Sequence, residues 1–170
     1  MEVWFQDEHR IGQQGSLTRI WARKGTRPRI VRQQQFISGY VFGAVCPEKD
    51  KGAAIIMPYA NTSSMQKHLE EISYHVEKGK HAVVVLDRAG WHLAKELKIP
   101  LNISLLSLPA YSPELNPQEQ VGRQIKHTHL ANRTFKNYDE ILTACSKAWN
   151  SFINSPGNIR SLCSRNWAKL

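Results

Sequence analysis

Five apolar residues in succession, Ala82-Val-Val-Val-Leu86, limit what this chain can fold into. The run is too short and too β-branched for a helix, and polar residues close it on both sides. A strand apolar at every position needs cover on both of its faces. The fold must therefore be layered, with a sheet inside and helices outside.

The remaining patterns supply the other layers. Met1 to Asp7 alternates, with Val3, Phe5 and Asp7 on one face and Trp4 and Gln6 on the other. Leu17 to Ala22, Phe36 to Cys46 and Ala53 to Met57 read as three further strands, punctuated by Gly and Pro as in an antiparallel meander. At Asn61-Thr62-Ser63 the period changes: Met65, Leu69, Ile72 and Val76 form one stripe of a helix that ends by Gly79. A short helix is expected over His92 to Lys98 and a second buried strand over Ile103 to Leu108. Everything after Pro117 reads as helical, with Tyr138, Ile141, Leu142, Cys145, Trp149 and Phe152 as a long apolar stripe broken at Pro156-Gly157. Antiparallel strands followed by strand–helix alternation predict an α/β fold, a mixed sheet flanked by helices in ribonuclease H-like order. That order sets the first strand beside the Ala82–Leu86 strand and brings Asp7 next to Asp87.

Three carboxylates stand where chemistry at phosphorus would need them. Asp87 follows the central strand, at the point where backbone pairing stops and a side chain meets solvent. Asp7 closes the first apolar run, and Glu8 beside it leaves open which of the two is a surface charge. Glu119 is the third residue of a helix opened by Asn116 and Pro117, a position that also suits helix capping and the helix dipole. Yet Glu119, Arg123 and Lys126 share one face, and a basic stripe headed by an acid suits a metal ligand reaching toward a phosphate backbone. Carboxylates from three elements can hold two Mg²⁺ roughly 3.5–4 Å apart, enough to activate an attacking oxygen and stabilise a leaving one.

Charge points to the same class of partner. Lys and Arg number 23 against 14 Asp and Glu, a formal net charge of +9. Seven of the bases lie between Arg10 and Arg32 with no acid among them. One-signed blocks of this kind favour a polyanion. Cys46, Cys145 and Cys163 show no CxxC pairing, so buried reduced thiols are expected rather than a disulfide framework or zinc ribbon. No apolar stretch approaches a membrane span and no signal-peptide pattern opens the chain, which predicts a soluble cytoplasmic protein. Of the tryptophans, Trp4, Trp21, Trp91, Trp149 and Trp167, most are expected in the core, with Trp21 and Trp91 open to stacking on a flipped base.

Two stretches carry a resemblance. Leu86-Asp-Arg-Ala-Gly-Trp-His92 and Leu108-Pro-Ala-Tyr-Ser-Pro-Glu-Leu-Asn-Pro-Gln-Glu119 closely resemble the catalytic core of mariner-like transposases. The nearer likeness is to bacterial insertion-sequence transposases with a DDE superfamily endonuclease domain, in which the first acid also ends a strand as Asp-Glu, here Gln6-Asp7-Glu8. The resemblance spans nearly the whole chain. It implies that Asp7, Asp87 and Glu119 are the catalytic and metal-ligating residues, that Glu114 is not, and that His92 lies near the active site. It further implies Mg²⁺ as cofactor, with Mn²⁺ able to substitute and two ions per site, and DNA as partner, both transposon ends and target, handled by a homodimer. Expected DNA contacts are Arg10, Arg19, Arg23, Lys24, Arg27 and Arg29 in the first basic block, Arg88 and His92 near the second aspartate, and Arg123 and Lys126 on the late helix.

The chain departs from the family pattern in two places. Arg88 stands where the family has Asn, and the gap between Asp87 and Glu119 is shorter than usual. Residues 1–170 read as a single catalytic domain, including the C-terminal helices of about 117–168, without the helix-turn-helix domains that read transposon ends in the family. Two other readings stay open: a catalytically inactive DNA-binding remnant, and a ribonuclease H-like nuclease.

Overall fold

The computed structural model describes residues 1–168. Its sheet has five strands: β1 (Glu2–Gly12), β2 (Ser38–Cys46), β3 (Lys51–Met57), β4 (Ala82–Leu86) and β5 (Ile103–Ser107), in the spatial order β3-β2-β1-β4-β5. The β1–β2 and β2–β3 pairs are antiparallel, whereas β1–β4 and β4–β5 are parallel. Four α-helices cover it: α1 (Thr62–His75), α2 (Gln118–Ile125), α3 (Tyr138–Ile153) and α4 (Asn158–Cys163).

Strand alternation sorts the core into two layers. Trp4, Phe42, Val84 and Leu86 face α1 and meet Met65, Leu69 and Ile72. Phe5, Val45 and Val85 face the other way and meet Val121 of α2 together with Ile141, Trp149 and Phe152 of α3. Each fully buried aliphatic or aromatic side chain of this kind contributes about 1.5–3 kcal/mol. Helix starts follow local chemistry. Asn61 Oδ1 accepts from the Ser64 N–H at 2.9 Å, and Asn137 Oδ1 from the Glu140 N–H at 3.0 Å, each satisfying a donor the first turn leaves orphaned. All three cysteines are free and buried, and burial pushes the Cys163 thiol up to about 12.

Several expectations are corrected. Leu17 to Ala22 is no strand: it lies in an irregular segment between β1 and β2, with Leu17 59% and Trp21 103% exposed. The segment leaves and returns at one point, since Gly12 pairs with Ser38 and the Gln13 N–H donates to the Ile37 carbonyl at 3.0 Å. The helix expected over His92 to Lys98 shrinks to a single 3₁₀ turn, Gly90–His92, because the chain has only a short span before Pro100 turns it into β5. β5 is a half-exposed edge strand rather than a buried one, with Leu106 51% exposed. Trp4 and Trp149 are core residues, but Trp167 is half-exposed. In the stripe of α3, Leu142 turns partly to solvent. Among the described residues no helix is long and apolar enough to cross a membrane.

This strand order, with two antiparallel strands on one side of β1 and two parallel ones on the other, is the ribonuclease H-like arrangement. β1 is central, and β4 lies directly beside it.

Candidate active site

β1 runs on to Gly12, so Asp7 sits mid-strand instead of at a strand end. What ends near it is the pairing with β4, whose last register partner on β1 is Phe5 opposite Val85. Beyond Phe5 only the β2 side of β1 stays paired, with Asp7 opposite Gly43. The opened side of the strand is where the acid can face a cleft. Alternation then places Asp7 and His9 on the α2 side, with Phe5 and Ile11, and Gln6 and Glu8 on the α1 side, with Trp4.

Glu119 is brought to Asp7 by the turn that starts α2. Asn116 Oδ1 accepts from the Gln118 N–H at 3.1 Å, and Asn116 Nδ2 donates to the Gln6 carbonyl at 2.8 Å. One side chain thus opens the helix and ties it to the residue preceding Asp7. Close approach also depends on Gly122: a Cβ there would fall 2.0 Å from His9 Nε2. His9 Nε2–H donates to the Gln118 carbonyl at 3.2 Å, fixing the ring beneath the helix.

Asp7, His9 and Glu119 each offer a ligand atom within 4.8 Å of one another. Asp87 stands outside this tight trio but lines the same cleft of about 430 Å³, together with Asp7, Glu119, Arg88, Tyr111 and Asn116. Its side chain is 59% exposed, and Asp87 Oδ1 accepts from the Ala89 N–H at 2.9 Å. Tyr111 stands fully exposed at the rim with φ of 58°, a left-handed conformation that costs on the order of 1 kcal/mol.

Burial, and then the nearby Glu119 carboxylate, push Asp7 up to about 8, with Glu8 and Asp87 adding to the rise. Burial likewise pushes His9 below its ordinary value, with Lys126 acting in the same direction, which favours the neutral ring, the form that can offer a lone pair. The metal-free chain should therefore lose stability as pH rises. The unfolded chain releases the Asp7 proton near 3.8, whereas the folded chain holds it to about 8. The folded state binds more protons between those values, so its stability falls across that window and levels off above it. A divalent cation should reverse the trend by displacing the proton. Unfolding midpoints measured across this range, with and without Mn²⁺, check it; a flat metal-free profile would count against the crowded acid pair.

Two residues near the cleft were not legible as functional. Glu8, left open as a surface charge, is buried: its Oε1 accepts from His92 Nε2 at 2.7 Å, Trp91 Nε1 at 3.1 Å and Gln6 Nε2 at 3.1 Å. Burial disfavours the charge on Glu8, but the His92 bond and charge outweigh that and hold Glu8 below the usual carboxylate range. Burial opposes the charge on His92, yet Glu8 and Asp87 together lift it above the usual histidine value. His9 was missed because the first strand was read as stopping at Asp7; carried on to Ile11, the same alternation places it with Asp7.

The expected DNA contacts are spread widely. Arg19, Arg23, Lys24, Arg27 and Arg29 lie exposed on the irregular segment between β1 and β2. Its base is clamped to the chain ahead of α3 by Thr18–Asn132 and Gln33–Phe135 hydrogen bonds. Arg10 is exposed and donates Nε to Ser38 Oγ at 3.2 Å. Arg88 donates Nε to the Leu108 carbonyl at 3.0 Å, which holds its guanidinium at the cleft. Arg123 is exposed on the helix that carries Glu119, and Lys126 is half-buried at that helix's C-terminal cap. His92 cannot serve as a DNA contact: its side chain is 1% exposed, and both ring nitrogens are engaged.

Residues 2–142 match the family described as DDE superfamily endonuclease. A protein of Sinorhizobium fredii (strain NBRC 101917 / NGR234), "Uncharacterized protein y4pE/y4sA", is 51% identical over 129 residues, which cover 76% of this chain and 96% of the relative. Among solved structures, a pre-cleavage Mos1 transpososome matches with a TM-score of 0.65 at 14% identity, over 94% of this chain and 51% of the other. A mariner Mos1 paired end complex with Mg matches with a TM-score of 0.61 at 15% identity, over 94% and 50%, and one with Mn with 0.64 at 14%, over 94% and 51%. The chain spans about half the length of the structures it matches. At these identities the likeness is one of fold.

Proposed function

The chain belongs to the DDE superfamily endonuclease family, and from that membership we propose that it is the catalytic domain of a DNA transposase, cutting and joining phosphodiester bonds at transposon ends. The observation that carries this reading is the convergence of Asp7 from β1, Asp87 from the end of β4 and Glu119 from α2 on one cleft. The cation proposed there is Mg²⁺, with Mn²⁺ able to replace it and two ions per site.

The donor set fits such an ion. Carboxylate oxygens suit a hard cation, and a half-buried Asp7 held next to Glu119 lacks a compensating positive charge within the trio. When bound, the metal supplies charge stabilisation at phosphorus and activates the attacking oxygen. The protein's own part is placement. Asn116 and Gly122 hold α2 against β1, so that Glu119 stays in register with Asp7, and Arg88 presents a cation at the cleft for a phosphate oxygen. Pairing two transposon ends calls for two such sites, so the working form proposed is a homodimer on DNA.

The proposed phosphate contacts are Arg10, Arg19, Arg23, Lys24, Arg27, Arg29, Arg88, Arg123 and Lys126. Contacts of this kind position DNA without reading its sequence. Binding by this chain should be weak, nearly sequence-blind and steeply salt-dependent, with log K falling by about 0.9 per phosphate neutralised for each unit of log salt. Titrating terminal-repeat and scrambled duplexes at two salt concentrations checks it. A strong preference for one repeat that survives high salt would place sequence recognition in this domain. The catalytic reading itself is tested with a pre-nicked transposon-end duplex titrated with Mg²⁺ or Mn²⁺. Strand cleavage or joining that persists in excess chelator would overturn it.

A further inference from the structure

Asp7 and Glu8 are neighbours in sequence but point to opposite faces of the sheet, and each is related to Asp87. Asp7 lines the same cleft as Asp87. Glu8 reaches Asp87 from the α1 side through His92, whose Nε2 lies 2.7 Å from Glu8 Oε1 and whose Nδ1 lies 2.9 Å from Asp87 Oδ1. We propose that Glu8 and His92 are a positioning pair that fixes the carboxylate of Asp87 so that one of its oxygens is left for a divalent cation. The proposal rests on the reading of Asp87 as a metal ligand.

The geometry is that of a supporting shell. Asp87 Oδ1 accepts from the Ala89 N–H at 2.9 Å and lies 2.9 Å from His92 Nδ1 as an ion-pair contact, the Nδ1–H itself donating to the Asp87 carbonyl at 3.2 Å, while no described residue donates to Oδ2. Without the ring, an aspartate that is 59% exposed would be left with the Ala89 N–H as its remaining anchor. The ring cannot turn either, because Glu8 Oε1 holds its far nitrogen. Glu8 in turn is held by Trp91 Nε1 and Gln6 Nε2, each at 3.1 Å. With Glu8 only 8% and His92 only 1% exposed in their side chains, water does not compete for these bonds. Outer partners of this sort orient ligands for metals, and their loss typically costs about 10–100-fold in metal affinity.

The two arms of the ring can be removed one at a time. An asparagine at position 92 places its amide nitrogen where Nδ1 stands and keeps the bond to Asp87. A glutamine places its amide where Nε2 stands and keeps the bond to Glu8. Mn²⁺ affinity of the full chain, read from the free-ion electron paramagnetic resonance signal, is compared for parent, His92→Asn, His92→Gln and Asp87→Asn, alongside chemical denaturation of each. His92→Gln should bind Mn²⁺ about 10–100-fold more weakly while keeping its stability. His92→Asn should bind close to the parent while losing stability, because Glu8 is left buried without its partner. A merely structural role would weaken both variants together in both readouts and would overturn the proposal. Parental affinity in His92→Gln with weakened affinity in Asp87→Asn would overturn the positioning pair and leave the metal site standing. Parental affinity in Asp87→Asn would overturn the metal reading, and this proposal with it.

Discussion

An Asp87→Asn variant should still bind DNA but fail to cleave or join it, with a loss of more than about 100-fold, since outer-shell partners alone cost 10–100-fold in metal affinity or activity. The fold should tolerate the change, because the side chain is largely exposed and Asn Oδ1 can still accept from the Ala89 N–H. The distinguishing sign is the metal response: Mn²⁺ should raise the unfolding midpoint of the parent and leave that of the variant nearly unmoved. Strand cleavage on a pre-nicked end, read beside the two melting curves, checks both halves. Substantial activity in Asp87→Asn would remove Asp87 from the machinery.

Gly122→Ala should be destabilising even though alanine is the better helix former. The added Cβ would lie 2.0–2.3 Å from three atoms of the His9 ring, which is held by the Gln118 carbonyl and cannot swing aside. Overpacking of this kind costs about 1–3 kcal/mol. The helix that must retreat also carries Glu119 one turn earlier, so cleavage should fall along with stability. Pairing the change with His9→Ala opens the space. In that background Gly122→Ala should become neutral or stabilising, by up to about 1 kcal/mol from helix propensity. A double-mutant cycle by chemical denaturation measures the reversal. A cost that persists in the His9→Ala background would show that the contact between α2 and β1 is not what requires glycine.

The layered fold was legible because its signals were strong and local. The Ala82–Leu86 run could only be a strand covered on both faces, and the stripe from Met65 to Val76 could only be a helix. The segment after Gly12 misled because Leu17, Ile20 and Trp21 look like a strand but have no edge to join. Ser38 pairs directly with Gly12, so everything between them is an excursion that must return to its starting point. Such closure is a property of pairing and leaves no mark on the segment itself. The acids of the site were legible by their place at the ends of apolar runs or of a turn. Their supports were not: the bonds from Asn116 to Gln6 and from His92 to Glu8 join residues 110 and 84 positions apart, and no spacing rule predicts them.

The parallel pairing of β1 with β4 also bears on when the site comes into being. The hairpin-like contacts of β1 with β2 can form from the first third of the chain. The β4 partner arrives only after α1, and the Asn116 tie only after β5. Closing such long loops carries an entropic cost, and non-local pairings of this kind form late in folding. A growing or half-folded chain therefore exposes its early arginines well before its three acids can meet. On the function proposed above, a chain during synthesis would be at most a weak binder of polyanions, and any cutting of DNA would wait until the late helix has docked.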